Sequence, residues 1–530
     1  MSDAEVPPAM AVTRRVSWVL QSFLMIGEMA GQGVFALPLH LSRLGWVVGT
    51  LVCAGALVLN NVSLRILFAV HGRFPELRSQ AHAADALFGG SGAAAVKAFV
   101  HVYLFSVIAC FLNSLGRVVM NEMYETRVCL PIATAVSVAV VYPFAQLRSF
   151  GDITVISFLS AVALLGCLLL IMSASSHVDP EPGATMSLVP TVSFFEALSS
   201  VGGFFFASAG GQCAFFEYLT EMEVPAEYPK TLALVTPSLF ALYYATAAIM
   251  YSRFGDKVPG FLLDILPFDN TRLLGNALFY FHIVVSLVIF SSALLRAYAT
   301  HSVTDPSFEA KREWAVNSAV MFAAAYLVTN VCGLFEDMTA AVGAVIVSVV
   351  ILIIPPAYLL AAYAASENKD VEKSSDDASS GDQKYGSGAT AGEKEGANGE
   401  EKASETSSAT ASAKFWLKCM VVVGLVVVPL MSFGSVSKLV ADSKSVSPPF
   451  SCGPCVTREC HWSEAEAAGG DEFSPRIVPE EDYGAPSVTY EHLPSGEEII
   501  EGAEQRWREQ AAELREIYPG APPAPPGAAR

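Results

Sequence analysis

Charge is what this sequence has least of. Only 16% of its 530 residues are Asp, Glu, Lys or Arg, against the roughly one quarter usual in soluble domains. Basic residues are the scarcer sign, 32 against 51 acids. They form no stripe that would neutralise phosphates, which excludes nucleic-acid binding. No Walker loop, no dinucleotide glycine fingerprint in a βαβ setting and no metalloprotease helix is present. That speaks against an enzyme, gives no cofactor to expect and excludes an ATP-driven pump. A cleavable signal peptide is also missing, because acids stand beside Arg14 and Arg15 and the first apolar run lacks a clear small-residue cleavage site. The first span is therefore expected to be retained.

What the chain has in plenty is apolar residues, 53% of the total, with a mean hydropathy of +0.45. Its net charge of -19 is unevenly placed. Residues 365–413 hold 11 acids and 5 lysines, residues 441–530 hold 17 acids and 7 bases, and the remainder is close to neutral at -3. A bilayer core of about 30 Å takes roughly 20 apolar residues to cross as a helix. With that ruler about eleven spans are expected, at 18–39, 46–70, 95–120, 129–144, 153–174, 194–216, 232–251, 274–295, 314–331, 338–364 and 415–437.

The expected organisation is a cytosolic N-terminus at 1–15, a membrane core of ten spans at 16–364, a linker at 365–413, an eleventh span at 414–440 and an extracytosolic tail at 441–530. The linker is Ser-, Gly-, Ala-, Glu- and Lys-rich, a composition that cannot bury enough apolar surface to order itself. Short loops concentrate Lys and Arg on the side that an inside N-terminus would make cytosolic. The expected location is the plasma membrane or a vacuolar or lysosomal membrane.

Helices in lipid satisfy their own backbone, so glycine-rich interruptions within apolar runs need a reason. Two stand out: Gly31-Gln32-Gly33 followed by Pro38, and Gly210-Gly211-Gln212. If the first ten spans are two halves of five, these interruptions fall in corresponding spans, the first and the sixth. Paired interruptions of that kind point to a transporter's substrate site at mid-membrane. Unwinding frees amide groups that bind an anionic group and carbonyls that bind an ammonium group or a cation. Close helix packing is the other use of such glycines.

These same residues resemble the amino acid/auxin permease family, within the amino acid-polyamine-organocation superfamily. The run from Gly31 through Gln32, Gly33, Val34, Phe35, Ala36 and Leu37 to Pro38, with Leu44-Gly45-Trp46 beyond it, is similar to the family's first-span signature. The stretch Phe205 to Gln212, followed by Glu221-Met222-Glu223-Val224-Pro225 and Tyr228-Pro229-Lys230, resembles its sixth-span signature. Gln212 departs from it, standing where many members have His, which unsettles any coupling role there.

The resemblance implies an all-α polytopic fold, a leucine-transporter-like 5+5 inverted repeat plus one extra helix. The implied activity is secondary active transport of amino acids, neutral ones above all, coupled to H+ or Na+ by alternating access around broken helices 1 and 6. A non-transporting amino acid sensor and an auxin-like organic anion permease are the alternatives. The substrate site would comprise Gly31, Gln32, Gly33, Gly210 and Gly211, with Gln212 beside them; read from the residues alone, Tyr103 and Phe206 either line a side-chain pocket or serve packing.

Ionisable groups inside spans are expensive and therefore candidates for ion coupling. Glu28, one turn before Gly31, is either a proton-accepting carboxylate or a packing lock. Ser286, Ser291 and Ser292 either ligate Na+ or bond back to their own helix. Glu217 and Glu221 share a helix face, and Glu221 is expected to anchor a gate to Lys230 or Arg15. Glu217 alternatively sits on a solvated face. Seven cysteines are isolated and read as small apolar residues. The tail's Cys452, Cys455, Cys460 and His461 have the chemistry of a redox or zinc site, though a plain local disulfide fits their spacing better.

Overall fold

The computed structural model describes residues 16–442 and Phe450, apart from 124–125, 127, 149–152, 179, 181, 303–304, 332 and 381–395, with backbone alone for 153–155, 368–380 and 396–409. Among these residues the regular structure is helical, and one isolated bridge, Val16 to Met222, is the sole strand-like pairing. Eight helices are long and apolar enough to cross a membrane, over 37–73, 90–122, 156–177, 225–257, 270–298, 308–331, 335–367 and 410–442. Two shorter apolar helices, Leu130–Phe144 and Phe194–Ser208, lie between them. Large aliphatic side chains such as Leu51, Val320 and Leu425 point outward from these helices. Lipid tails cover such a surface without cost, so the chain is an all-helical integral membrane protein.

In chain order the elements that position the site are α1 (Trp18–Met29), a 3-10 turn (Gln32–Phe35), α2 (Leu37–Arg73), α3 (Gln80–Leu87), α4 (Gly90–Glu122), α5 (Leu130–Phe144) and α6 (Ile153–Ala174). There follow α7 (Phe194–Ser208), α8 (Phe215–Glu221), α9 (Tyr228–Phe254), α10 (Asn270–Tyr298), α11 (Phe308–Val331), α12 (Phe335–Val342), α13 (Ser348–Leu352), α14 (Ile354–Ser380) and α15 (Gly396–Asp442). The expected first and sixth spans are each two helical pieces with an irregular joint. The helical backbone of α14 and α15 runs past the expected linker boundaries at 365 and 413.

Local chemistry accounts for several features. Ser17 and Ser193 cap α1 and α7 by accepting the amide protons of Leu20 and Glu196, which satisfies donors that a helix start leaves free. Pro38 sits in the first turn of α2, where its missing N–H costs nothing. Gly45 bends α2 with φ 73°, and a Cβ there would stand 2.7 Å from the Val189 backbone. The bend turns the amides of Trp46 and Val47 onto the carbonyls of Ser187 and Leu188, both at 3.0 Å. The Leu44-Gly45-Trp46 signature is thus the seat of the loop that precedes α7. Phe35 anchors the 3-10 turn in an aromatic cluster, 4.2 Å from the Phe279 ring and 6.0 Å from that of Phe261, which in turn meets Phe335.

Cys129 is disulfide-bonded. That corrects the expectation of seven isolated apolar cysteines, whereas Cys53, Cys110, Cys167, Cys213 and Cys419 are free.

Candidate functional site

Helix α1 stops because Ala30 leaves helical geometry at ψ 62° and Gly31 is extended at φ -95° and ψ -158°. Helix α7 stops where Ala209 becomes extended and Gly210 and Gly211 take φ of 147° and 80°. Those two values are ones that a Cβ strongly disfavours. Each stop leaves terminal carbonyls without intrahelical partners.

The two joints touch one another. A Cβ on Gly33 would fall 2.6 Å from the Ala207 Cα, and one on Gly210 would fall 2.4 Å from the Met29 Cγ. Gly31 meets nothing nearer than the Glu28 carbonyl oxygen at 3.7 Å, so close approach explains Gly33 and Gly210 but not Gly31. Between the joints stands Tyr243 of α9, fully buried, its hydroxyl 2.6 Å from the Met29 carbonyl oxygen and 2.9 Å from that of Ala207. The Met29 carbonyl also accepts the Gly31 amide at 2.8 Å, so the acceptor capacity left by one shared hydroxyl proton lies chiefly at Ala207. The Glu28 carboxylate faces the backbone amide of Gly211, and its Oε2 is buried without a partner. Tyr103 and Cys213 lie within electrostatic reach of that carboxylate.

The two glutamines behave differently. Gln32 accepts a hydrogen bond from the Ser114 hydroxyl of α4, and its amide nitrogen is buried without an acceptor. Gln212 is fully engaged: its oxygen accepts from the Gly210 amide at 3.3 Å, its nitrogen donates to Asn60 of α2, and its carbonyl accepts from Gln80 of α3. The Gln80 carbonyl in turn accepts from the Tyr358 hydroxyl at 3.1 Å. Gln212 thus ties the second joint to α2, α3 and α14.

The remaining expected residues are dispersed. Phe206 packs against Gly343, just beyond α12. Ser291 and Ser292 are buried on α10 with hydroxyls that have no partner, and they do not bond back to their helix; Ser286 is half-buried. Lys230 pairs with Glu227 at 2.7 Å. A positive group within electrostatic reach of Glu217 and Glu221 is Arg296 at the end of α10. Arg15 and the group Cys452, Cys455, Cys460 and His461 lie outside the described residues, among which no cluster of three metal-ligating side chains occurs. At the end of the bundle where Arg296 stands, Val16 straps the segment before α1 to Met222, its amide donating to the Glu221 carbonyl at 3.2 Å and its carbonyl accepting from Glu223 at 2.9 Å.

Tyr243, Asn60, Gln80 and Arg296 were not expected from the sequence. Nothing in a buried tyrosine or amide read in isolation marks it, because its role is set by a partner far along the chain.

The family model described as "Transmembrane amino acid transporter protein" matches residues 14–375. Over 263 residues the chain is 24% identical to "Amino acid transporter AVT1H" of Arabidopsis thaliana, a match that takes in 48% of this chain and 60% of that protein. The chain thus spans less than two thirds of that relative's length. Among solved structures, MhsT in complex with L-phenylalanine aligns with TM-score 0.43 at 10% identity, over 66% of this chain and 96% of that one. Mhp1, a nucleobase-cation-symport-1 family transporter in a closed conformation, aligns with TM-score 0.45 at 14% identity, over 86% and 98%. At TM-scores below 0.5 neither likeness bears on the reading that follows.

Proposed function

The chain belongs to the transmembrane amino acid transporter protein family, and from that premise we propose that it is a secondary active transporter of neutral amino acids whose substrate binds at the joined breaks of α1 and α7. The observation that carries this reading is the meeting of the two breaks through Gly33, Ala207 and Tyr243. A zwitterion presents one anionic and one cationic end. The unpaired Gln32 amide beside Gly33 suits the carboxylate, and the Gly210 and Gly211 amides would join it once Gln212 and Glu28 release them. The Met29 and Ala207 carbonyls suit the ammonium, which would displace the Tyr243 hydroxyl from one of them. Tyr103 and Phe206 would bound the side-chain pocket, with Gln212 holding the second joint in shape.

Coupling is to H+ or Na+. Glu28, a buried carboxylate beside the Gly211 amide, is the proposed proton carrier, and the unpartnered Ser291 and Ser292 hydroxyls, with Ser286, are the proposed Na+ ligands. Alternating access would turn on the joints, with Glu217, Glu221 and Arg296 closing one end. We place the N-terminus in the cytosol and the protein in the plasma membrane or a vacuolar or lysosomal membrane. The disulfide at Cys129 supports that orientation, since an inside N-terminus would put the α4–α5 connection on the extracytosolic side, where disulfides persist.

Uptake of radiolabelled amino acids into proteoliposomes, with pH or Na+ gradients imposed separately, tests the proposal. Gradient-dependent accumulation of a neutral amino acid is expected. Absence of both accumulation and exchange across an amino acid panel would end it.

A further inference from the structure

A second buried ionic centre lies away from Glu28. Asp337 of α12 is 2% exposed, with Oδ1 3.8 Å from the Lys438 ammonium of α15 and Oδ2 buried without a partner. Lys438 also reaches Asp442 at 2.5 Å and Glu196 of α7 at 3.9 Å. Glu196 in turn pairs with Arg43 of α2 at 3.6 Å. Glu336 adds its charge beside Asp337 and buries one unpartnered oxygen. His40, 1% exposed, is wedged against Gly203 of α7 with both ring nitrogens unpartnered, in the field of Arg43 and Lys438.

Among the described residues here four carboxylates face two cations, and both ring nitrogens of His40 are unpartnered. A buried carboxylate is costly unless it is paired or neutralised. Asp337 is the most buried of the acids, its contact with Lys438 is long at 3.8 Å and its other oxygen has no partner, so a cation bound there relieves the most. The described residues assemble no metal-ligating cluster here, and the cation that needs no coordination cage is a proton.

The centre also touches the right elements. Arg43 follows the first break along the chain and Glu196 begins the helix that leads into the second. Asp337 and Lys438 belong to α12 and α15, which pack on α7. Whatever the charge on Asp337, it acts on both half-helices that would move.

We propose that Asp337 is a proton-binding site, distinct from Glu28, whose protonation sets how tightly the α2 and α7 half-helices are held to α12 and α15. Its coupling to substrate movement rests on the transport reading above; the binding of the proton does not. Protonation removes the Asp337 charge, leaves Lys438 to Asp442 and Glu196, and loosens the tie from α12. In the proposed orientation this end of the bundle faces the extracytosolic side, so the proton comes from there.

The test separates binding from transport. Melting temperatures of the detergent-purified full chain are measured from about pH 5 to about pH 8 for wild type, Asp337→Asn and His40→Gln, because a titrating native group makes the difference between wild type and variant change with pH. The wild-type minus Asp337→Asn difference is expected to vary across this range. A flat difference overturns the proposal, and so does variation that belongs to His40→Gln alone. Where Asp337→Asn does not purify folded, Lys438→Met against Asp337→Asn/Lys438→Met makes the comparison in the absence of the Lys438 charge. In proteoliposomes, Asp337→Asn should retain amino acid exchange while its net uptake loses at least about threefold of the wild-type pH response. An unchanged response overturns the coupling role, whereas a wild type that exchanges no amino acid defeats the transport reading and leaves the melting test standing.

Discussion

The Tyr243 hydroxyl lies within hydrogen-bonding distance of the Met29 and Ala207 carbonyls, at 2.6 and 2.9 Å. It thereby bridges the ends of two helices that stop beside each other. One side chain from α9 reads the separation of the two breaks, and a change in that separation must break one contact or both.

Removing that hydroxyl by Tyr243→Phe should cost about 1 kcal/mol of stability, the net worth of a typical hydrogen bond. The ring's packing is kept. A lower melting temperature together with a several-fold change in the substrate KM is expected. Unchanged KM and melting temperature would remove Tyr243 from the site.

The glycines of the first break should separate in their tolerance. Gly33→Ala drives a methyl into Ala207, and overpacking of this kind typically costs about 1–3 kcal/mol. Gly31 has an ordinary φ and open space around its Cα. Folded yield should therefore fall sharply for Gly33→Ala and stay near wild type for Gly31→Ala. The reverse order would contradict the packing of the two joints.

Gln212 and Asn60 should act as a unit. A double-mutant cycle with Gln212→Ala and Asn60→Ala is expected to give a coupling of about 0.5–3 kcal/mol in melting stability, the range for directly bonded neighbours. Additive effects would mean that the amide pair does not hold the second joint.

Glu28→Gln keeps the shape of the side chain and removes its charge. Amino acid exchange should persist, while accumulation driven by a pH gradient is lost. Accumulation at the wild-type level in Glu28→Gln would exclude this carboxylate as the proton carrier.

A pH effect outside the spans is expected at His301, in the α10–α11 connection. Its 2.7 Å contact with Glu313 holds the imidazole above its ordinary pKa. The folded value then exceeds the unfolded one, so protonated His301 adds stability below the ordinary histidine range, and that contribution fades as pH rises through the raised folded value. The melting difference between wild type and His301→Gln should be greatest in acid and small at alkaline pH. A pH-independent difference would disprove the pairing.

Several features were legible before any fold was known. Gly31-Gln32-Gly33 with Pro38, and Gly210-Gly211, mark the joints because glycine's freedom and proline's missing amide act on their own neighbourhood. The family signature around Glu221 is legible too, although Lys230 pairs with Glu227 and Arg296 supplies the charge facing Glu221. Helix spacing reveals which residues share a face and is silent on which helix comes opposite. Cys129 likewise reads as one more small apolar residue until its bonded state is seen.

Apolar run length and glycine placement are local properties, and by themselves they determined that the chain crosses a membrane as helices and where two of those helices break. Only the tertiary structure decided that the breaks meet, that Tyr243 stands between them 214 residues from Met29, and that Asp337, Lys438, Glu196 and His40 share one buried centre. Those groups are far apart along the chain. What brings them together is the packing of whole helices, an energy summed over many side chains that no short stretch of sequence contains.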